Sequence, residues 1–195
     1  MRKAAITRET RETRISLDLN LDQPAEKNEI ATGFGFADHM LDLMSHWAGI
    51  GLNITCQGDM QVDAHHSLED IGICLGQAFA EAIGVRTGIN RVGWARIPMD
   101  ESMAEAIVDI SGRPFLVYQG DNLLSQTVAG QEKDLWREFF KSFVFNARLN
   151  LHIIFHYGTN SHHLLESAFK ATGMALRQAA TQSRSGVLST KGKLD

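Results

Sequence analysis

Cysteine is nearly absent from this 195-residue chain. Cys56 and Cys74 stand alone, with no partner spacing for a disulfide framework or a thiolate metal site, as expected of a protein in a reducing cytoplasm. An excess of basic residues is also missing: the net charge is −4, which argues against a nucleic-acid partner or an anionic membrane surface. Nowhere do 18 apolar residues run together, and the first residues carry no apolar core of a secretory signal, so the expectation is a soluble cytoplasmic protein with no membrane partner. Low-complexity segments and interdomain linkers are lacking as well. With 44% hydrophobic and 22% charged residues, the composition is that of a globular domain large enough to fold without a metal or disulfide staple.

What is present is histidine, eight residues in four tight groups: His39 and His46, His65-His66, His152 and His156, and His162-His163. Around them the hydrophobic pattern changes period. Ile15, Leu17, Leu19 and Leu21 alternate as a half-buried strand, with Ala4–Thr10 as its hairpin partner and a polar loop from Asp22 to Asn28. Helical spacing follows over Phe36–Trp47, a strand over Leu52–Cys56, and an amphipathic helix over Ser67–Ile83. The order then recurs, with strands at Gly93–Pro98, Met103–Ile110 and Pro114–Tyr118, a helix over Asp134–Asn146, a strand at Leu149–Phe155 and a helix over Leu164–Ala180.

Aligning the double histidines makes the duplication explicit. His65-His66-Ser-Leu-Glu69 matches His162-His163-Leu-Leu-Glu166 at an offset of 97, and Leu52 and Ile54 match Leu151 and Ile153 at 99, an offset that also pairs His39 with Glu138. The chain is therefore expected to be one domain, 1–195, made of two β-β-α-β-α-type repeats, 1–90 and 91–195. Its class is α+β, with two four-stranded sheets packed on helices.

The histidine motif has a defined geometry on a helix. The first His and the Glu, four residues apart, share a face and can hold one cation, whereas the second His lies about 100° round the helix and faces elsewhere. One motif thus serves two metals, and imidazole with carboxylate suits Mn, Fe or Zn. By the repeat, one ligand set is His65, Glu69 and His163, and the other His162, Glu166 and His66, with His39 and Glu138 available to complete them. Because the two faces point apart, sites shared between subunits of an oligomer are expected. Arg91, Arg113 and the Ser189-Thr190-Lys191-Gly192 tail offer the fork and ammonium chemistry that a phosphate needs. Pro98-Met-Asp100-Glu101 reads as a solvated acidic turn, and Glu9 and Glu12 as a charged hairpin exterior. His46, His152 and His156 read as structural.

These blocks together resemble the imidazoleglycerol-phosphate dehydratase family. The resemblance rests on Arg8–Thr13, Asp38-His-Met-Leu-Asp42, Gly58-Asp59, Asp63–Asp70, Gly88–Arg91, Pro98–Glu101, Asp109–Pro114, Leu151–Ile153, Asn160–His163, Phe169-Lys170 and Ser189–Gly192. It implies a lyase of histidine biosynthesis that dehydrates imidazole glycerol phosphate to imidazole acetol phosphate, through an imidazolate bridging two metal ions and a diazafulvene-like intermediate. It also implies two Mn(II) per active site, with Fe or Zn as alternatives, and a homo-oligomer of 24 subunits built from trimers. One metal would take His39, His66, His162 and Glu166, and the other His65, Glu69, His163 and Glu138. Glu12, Arg91, Arg113, Lys170, Ser189, Thr190 and Lys191 would hold the substrate, and Glu12, Glu69 and Glu166 are the candidate proton carriers. Three positions depart from the family pattern: some relatives carry His in place of Glu138, and the first helix has Leu43 and Trp47 where relatives place Gln and His. A dinuclear phosphate-ester hydrolase would use bridging carboxylates rather than a histidine-dominated set, and a metal-storing cage would leave the arginines and the Ser-Thr-Lys tail without a role.

Overall fold

The computed structural model describes residues 1–183, 185–192 and 194. Each half begins with a hairpin whose alternate residues face inward. In the first half β1 (Lys3–Glu9) pairs antiparallel with β2 (Thr13–Asn20), and β2 with β4 (Gly51–Gly58), so that Ile15, Leu17 and Leu19 lie beside Leu52 and Ile54 in the core. The second half repeats this with β5 (Val92–Met99), β6 (Ser102–Asp109) and β10 (Asn150–Tyr157). Each sheet gains a fourth strand in parallel. The short β3 (Ile30–Ala31) lies beside β4, and β7 (Phe115–Gln119) beside β10, giving the equivalent orders β1-β2-β4-β3 and β5-β6-β10-β7.

The expected α+β duplication with two four-stranded sheets is therefore present, with one refinement. The unit is β-β-β-α-β-α in both halves, because β3 follows the Asp22–Asn28 loop and is too short to show alternation. An insertion before the third helix, a 3-10 turn at Asp121–Leu123 and a small hairpin of β8 (Thr127–Val128) and β9 (Gln131–Glu132), also left no periodic trace.

Four helices fill the space between the sheets: α1 (Gly35–Ala48), α2 (His65–Ile83), α3 (Asp134–Ala147) and α4 (Ser161–Ala180). Here α3 lies along α2 and α1 lies along α4. The two pairings are the same contact made twice. A Cβ placed on Gly173 of α4 would sit 2.4 Å from the Met44 carbonyl oxygen, 3.0 Å from the Ala48 nitrogen and 3.1 Å from the Trp47 Cβ. A Cβ on Gly76 of α2 would sit 2.5 Å from the Phe143 oxygen, 2.8 Å from the Ala147 nitrogen and 2.7 Å from the Asn146 Cβ. Gly76 and Gly173 are 97 apart, and each α3 atom is 99 residues beyond its α1 counterpart, so the sequence offsets are reproduced atom for atom in space. Glycine is required at both points because the opposing backbone occupies the Cβ position.

Gly173→Ala and Gly76→Ala should each lower stability by about 1–3 kcal/mol through forced helix separation. Gly35→Ala meets nothing within 4 Å and should stay within about 0.5 kcal/mol of wild type. Urea unfolding midpoints of the three variants check this, and equal midpoints would show that the helix backbones are not this close.

Candidate active site

The two histidine pairs open α2 and α4, and each opening turn is fixed by a side chain two residues ahead of the first histidine. The Asp63 carboxylate accepts the His65 N–H at 2.7 Å, and the Asn160 side-chain oxygen accepts the His162 N–H at 2.9 Å. Both satisfy helix-terminal donors that would otherwise lack partners. Asp70, also in the first motif, ties the hairpin to this turn. It accepts the Thr13 hydroxyl at 2.5 Å and pairs with Arg8 at 2.9 Å, which places Glu12 over the start of α2.

Helix packing then gathers a metal-type cluster. Because α1 lies along α4, His39 Nε2 comes to 2.9 Å and His162 Nε2 to 3.0 Å from Glu166 Oε1, and the donor atoms of all three lie within 4.8 Å of one another. Phe36 packs its ring against His162 at a centroid distance of 4.9 Å and is backed by Trp136, which restricts the imidazole. Glu166 is 7% exposed. Burial raises its carboxyl pKa, but Lys170 Nζ at 2.6 Å and the two imidazoles outweigh that and bring it down to about 2. It is therefore ionised at any working pH. This is the only such group among the described residues.

The second histidine of each pair points to another environment, as its 100° rotation requires. His66 Nδ1 lies 3.0 Å from Asp59 Oδ2, leaving Nε2 directed toward Glu12 at 3.9 Å. His163 Nδ1 lies 2.8 Å from Glu101 Oε2, with Nε2 3.9 Å from Asp100. A carboxylate on Nδ1 fixes the tautomer and leaves the Nε2 lone pair available, the arrangement seen for histidine ligands at metal sites. Both histidines have raised pKa values, from the hydrogen bond to Asp59 in one case and to Glu101 in the other, and the Glu101 carboxyl falls to about 2, led by its bond to His163. Sequence reading missed this role of Glu101, which it took for solvated turn chemistry. Only a contact 62 residues away in sequence reveals it.

At the other end of α4, Arg91, Arg113, Ser189, Thr190 and Lys191 line one cavity of about 600 Å³. Arg91 has φ +72° and is aimed by Asp109, whose carboxylate takes both Nε at 2.6 Å and Nη2 at 2.9 Å, while Nη1 donates to the Leu188 carbonyl at 2.6 Å. The Lys191 N–H donates to Ser189 Oγ, closing the tail into a turn. Lys170, expected beside the substrate, is not in this lining; its ammonium pairs with Glu166 and contacts Met99 Sδ at 3.3 Å.

The expected second ligand set is not gathered within one chain. His65 and Glu69 face each other at 3.7 Å on α2, but His163 is held at the Glu101 turn. Glu138, expected to complete this set, is turned along its own helix to Lys141 at 2.8 Å. That i,i+3 pair forms readily because α3 places the two side chains on one face.

The family model described as imidazoleglycerol-phosphate dehydratase matches residues 32–176, which span both histidine motifs. The imidazoleglycerol-phosphate dehydratase of Oleidesulfovibrio alaskensis is 61% identical over 194 residues, covering 100% of this chain and 98% of that protein. The chain belongs to the imidazoleglycerol-phosphate dehydratase family. The crystal structure of the Staphylococcus aureus imidazoleglycerol-phosphate dehydratase superposes with a TM-score of 0.83 at 40% identity, covering 93% of this chain and 99% of that one. The Pyrococcus furiosus protein, solved in complex with (S)-C348, gives 0.83 at 36% identity, covering 97% and 100%. The chain is thus a hydro-lyase of this family. No helix among the described residues is long and apolar enough to cross a membrane.

In metal-free protein, the imidazole NMR titrations of His66 and His163 should have midpoints above 6.5, the ordinary value. Glu101→Gln should return His163 toward that value and leave His66 in place. An unmoved His163 midpoint would show that Glu101 does not hold the ring.

Proposed function

We propose that this chain dehydrates imidazole glycerol phosphate to imidazole acetol phosphate, using two Mn(II) per active site in a homo-oligomer. The observation that carries the proposal is the His39–His162–Glu166 cluster. Two imidazole nitrogens and one ionised carboxylate converge without a thiolate, a donor set that fits Mn, with Fe or Zn as alternatives. When bound, two such ions supply Lewis acidity toward the substrate imidazole, whose electrons can then expel a hydroxyl group that no neighbouring carbonyl activates.

The chain's own residues supply the rest. His39, His162 and Glu166 would hold one ion with His66, and His65, Glu69, His163 and Glu138 the other. Glu12, exposed at the hairpin tip and 3.9 Å from His66 Nε2, is free to carry the proton from the substrate carbon. Glu69 or Glu166 at the metal edge would serve the second transfer. Arg91, held rigid by Asp109, with Arg113, Ser189, Thr190 and Lys191, would clamp the phosphate and orient the three-carbon chain. Lys170 would reach substrate from its position against Glu166.

Two observations support assembly. Glu166 lies thirteen positions along α4 from Ala179, whose carbonyl accepts the Arg91 N–H. At the helical rise that is about 20 Å, more than an imidazole with a phosphorylated three-carbon chain can span, so the cluster of one copy would work with the phosphate cavity of another. The outward faces of the two sheets also differ. The first presents Lys3, Thr7, Arg14, Ser16 and Asp18, whereas the second exposes Trp94, Phe115 and Val92 at 62%, 61% and 46%. A second copy of the chain would cover such an apolar face, consistent with a 24-subunit assembly of trimers.

Metal-stripped protein should form no imidazole acetol phosphate, and adding Mn(II) should restore turnover, followed through the enolised ketone. Glu12→Gln should lower kcat by roughly 10²–10⁴-fold, and wild-type turnover in that variant would remove Glu12 as proton carrier. Lys191→Ala should raise KM more than it lowers kcat. Absence of product from folded, assembled, Mn-loaded protein would overturn the assignment.

A further inference from the structure

The close contacts at Gly76 and Gly173 fix a spatial equivalence that reaches the metal ligands. From Gly173 and Met44, the residues at −11, −7 and −5 are His162, Glu166 and His39; from Gly76 and Phe143, the same steps give His65, Glu69 and Glu138. Since α3 meets α2 through the same backbone atoms that bring α1 to α4, the helix position from which His39 reaches His162 and Glu166 corresponds to that of Glu138 relative to His65 and Glu69. Its side chain needs only to leave Lys141, on a half-buried surface, to reach them.

We infer that the two metal positions of this chain are chemically unequal, Glu138 making the second an oxygen-rich site that discriminates against nitrogen-seeking ions. The inference rests on the two-metal reading above and adds to it which ion each position prefers. The first position has two imidazoles and one carboxylate, and the second one imidazole and two carboxylates. The second histidines, His66 and His163, are themselves repeat mates and add equally to both. Neighbouring charges pull in both directions, so the contrast rests on the ligand types. Lys170 neutralises Glu166, but its mate beside Glu69 is Ile73; Lys141 neutralises Glu138, and its mate beside His39 is Asp42. Exchanging an imidazole for a carboxylate weakens the preference for Zn(II) over Mn(II), because Zn gains more from nitrogen and Mn is satisfied by oxygen. Zn should therefore enter the first position ahead of the second, by on the order of tenfold in free Zn(II).

The test uses the assembled protein loaded with Mn(II) and titrated with buffered Zn(II), reading released Mn by electron paramagnetic resonance and retained metal by elemental analysis. Wild type should release its two Mn ions per chain in two separate steps, passing through a form with one Mn and one Zn. Glu138→His should merge the steps. Glu138→Gln, which keeps the side-chain shape, should weaken the second Mn roughly 10- to 100-fold and leave the first unchanged. A single release step in a two-ion wild type, or an unaltered second Mn in Glu138→Gln, overturns the inference alone. One ion per chain in wild type and in Glu138→His overturns it together with the two-metal reading.

Discussion

Everything at the site depends on close approaches between helix backbones. At Gly76 and Gly173 the opposing carbonyl oxygens stand where a Cβ would be, so α3 on α2 and α1 on α4 have one permitted separation and one register. Ridge-into-groove packing through side chains leaves freedom to slide or tilt. Contact through backbone atoms removes it. His39 belongs to α1 and Glu166 to α4, yet Nε2 and Oε1 are 2.9 Å apart, held there by this seam seven residues down α4. The caps at Asp63 and Asn160 then fix the first turn, and the aromatic wall of Phe36 and Trp136 fixes one ring.

The same geometry limits what one chain can do alone. Adjacent histidines on a helix cannot face one cation, so each motif divides its ligands between two directions, and the structure keeps them divided: His162 with Glu166, His163 with Glu101. The carboxylates of Asp59 and Glu101 hold the outward-facing rings by Nδ1, and Nε2 is presented away from the chain's own cluster. Ligands prepared in this way have a purpose when another copy supplies the remaining donors. The length of α4, with the cluster at one end and the arginine cavity at the other, leads to the same requirement from a different direction. Oligomerisation in this reading is part of the chemistry, not an addition to it.

Most of the fold was legible because its elements obey simple periods. The alternation of Ile15, Leu17 and Leu19 and the spacing through Leu68, Ile71 and Leu75 correspond to β2 and α2. Sheet membership of β3 was not legible, since two residues carry no period, and the β8–β9 insertion breaks the repeat with turn residues alone. At the site, the paired His-His-x-x-Glu motifs placed His65 with Glu69 on α2 and His162 with Glu166 on α4, because i,i+4 geometry is local. The roles of Asp59 and Glu101 were hidden because nothing in the sequence distinguishes a turn carboxylate that meets water from one that meets an imidazole. Lys170 sits one turn beyond Glu166 and pairs with it, an ordinary i,i+4 contact that local spacing allows.

Duplication also separates what must stay alike from what can differ. Gly76 and Gly173, the capping residues and the His-His-x-x-Glu steps occupy matching positions because each is tied to backbone geometry: a close approach, a helix terminus, a shared helix face. Among the residue pairs not tied in this way, several charged ones have diverged. Asp42 stands opposite Lys141, Ile73 opposite Lys170, and His39 opposite Glu138. A change at such a position costs little in packing, since it alters neither the helix separation nor the core, but acts at full strength on a bound cation a few ångströms away. The two halves therefore share one scaffold while their electrostatics are set independently, and differences between the two metal positions are to be sought in these side chains.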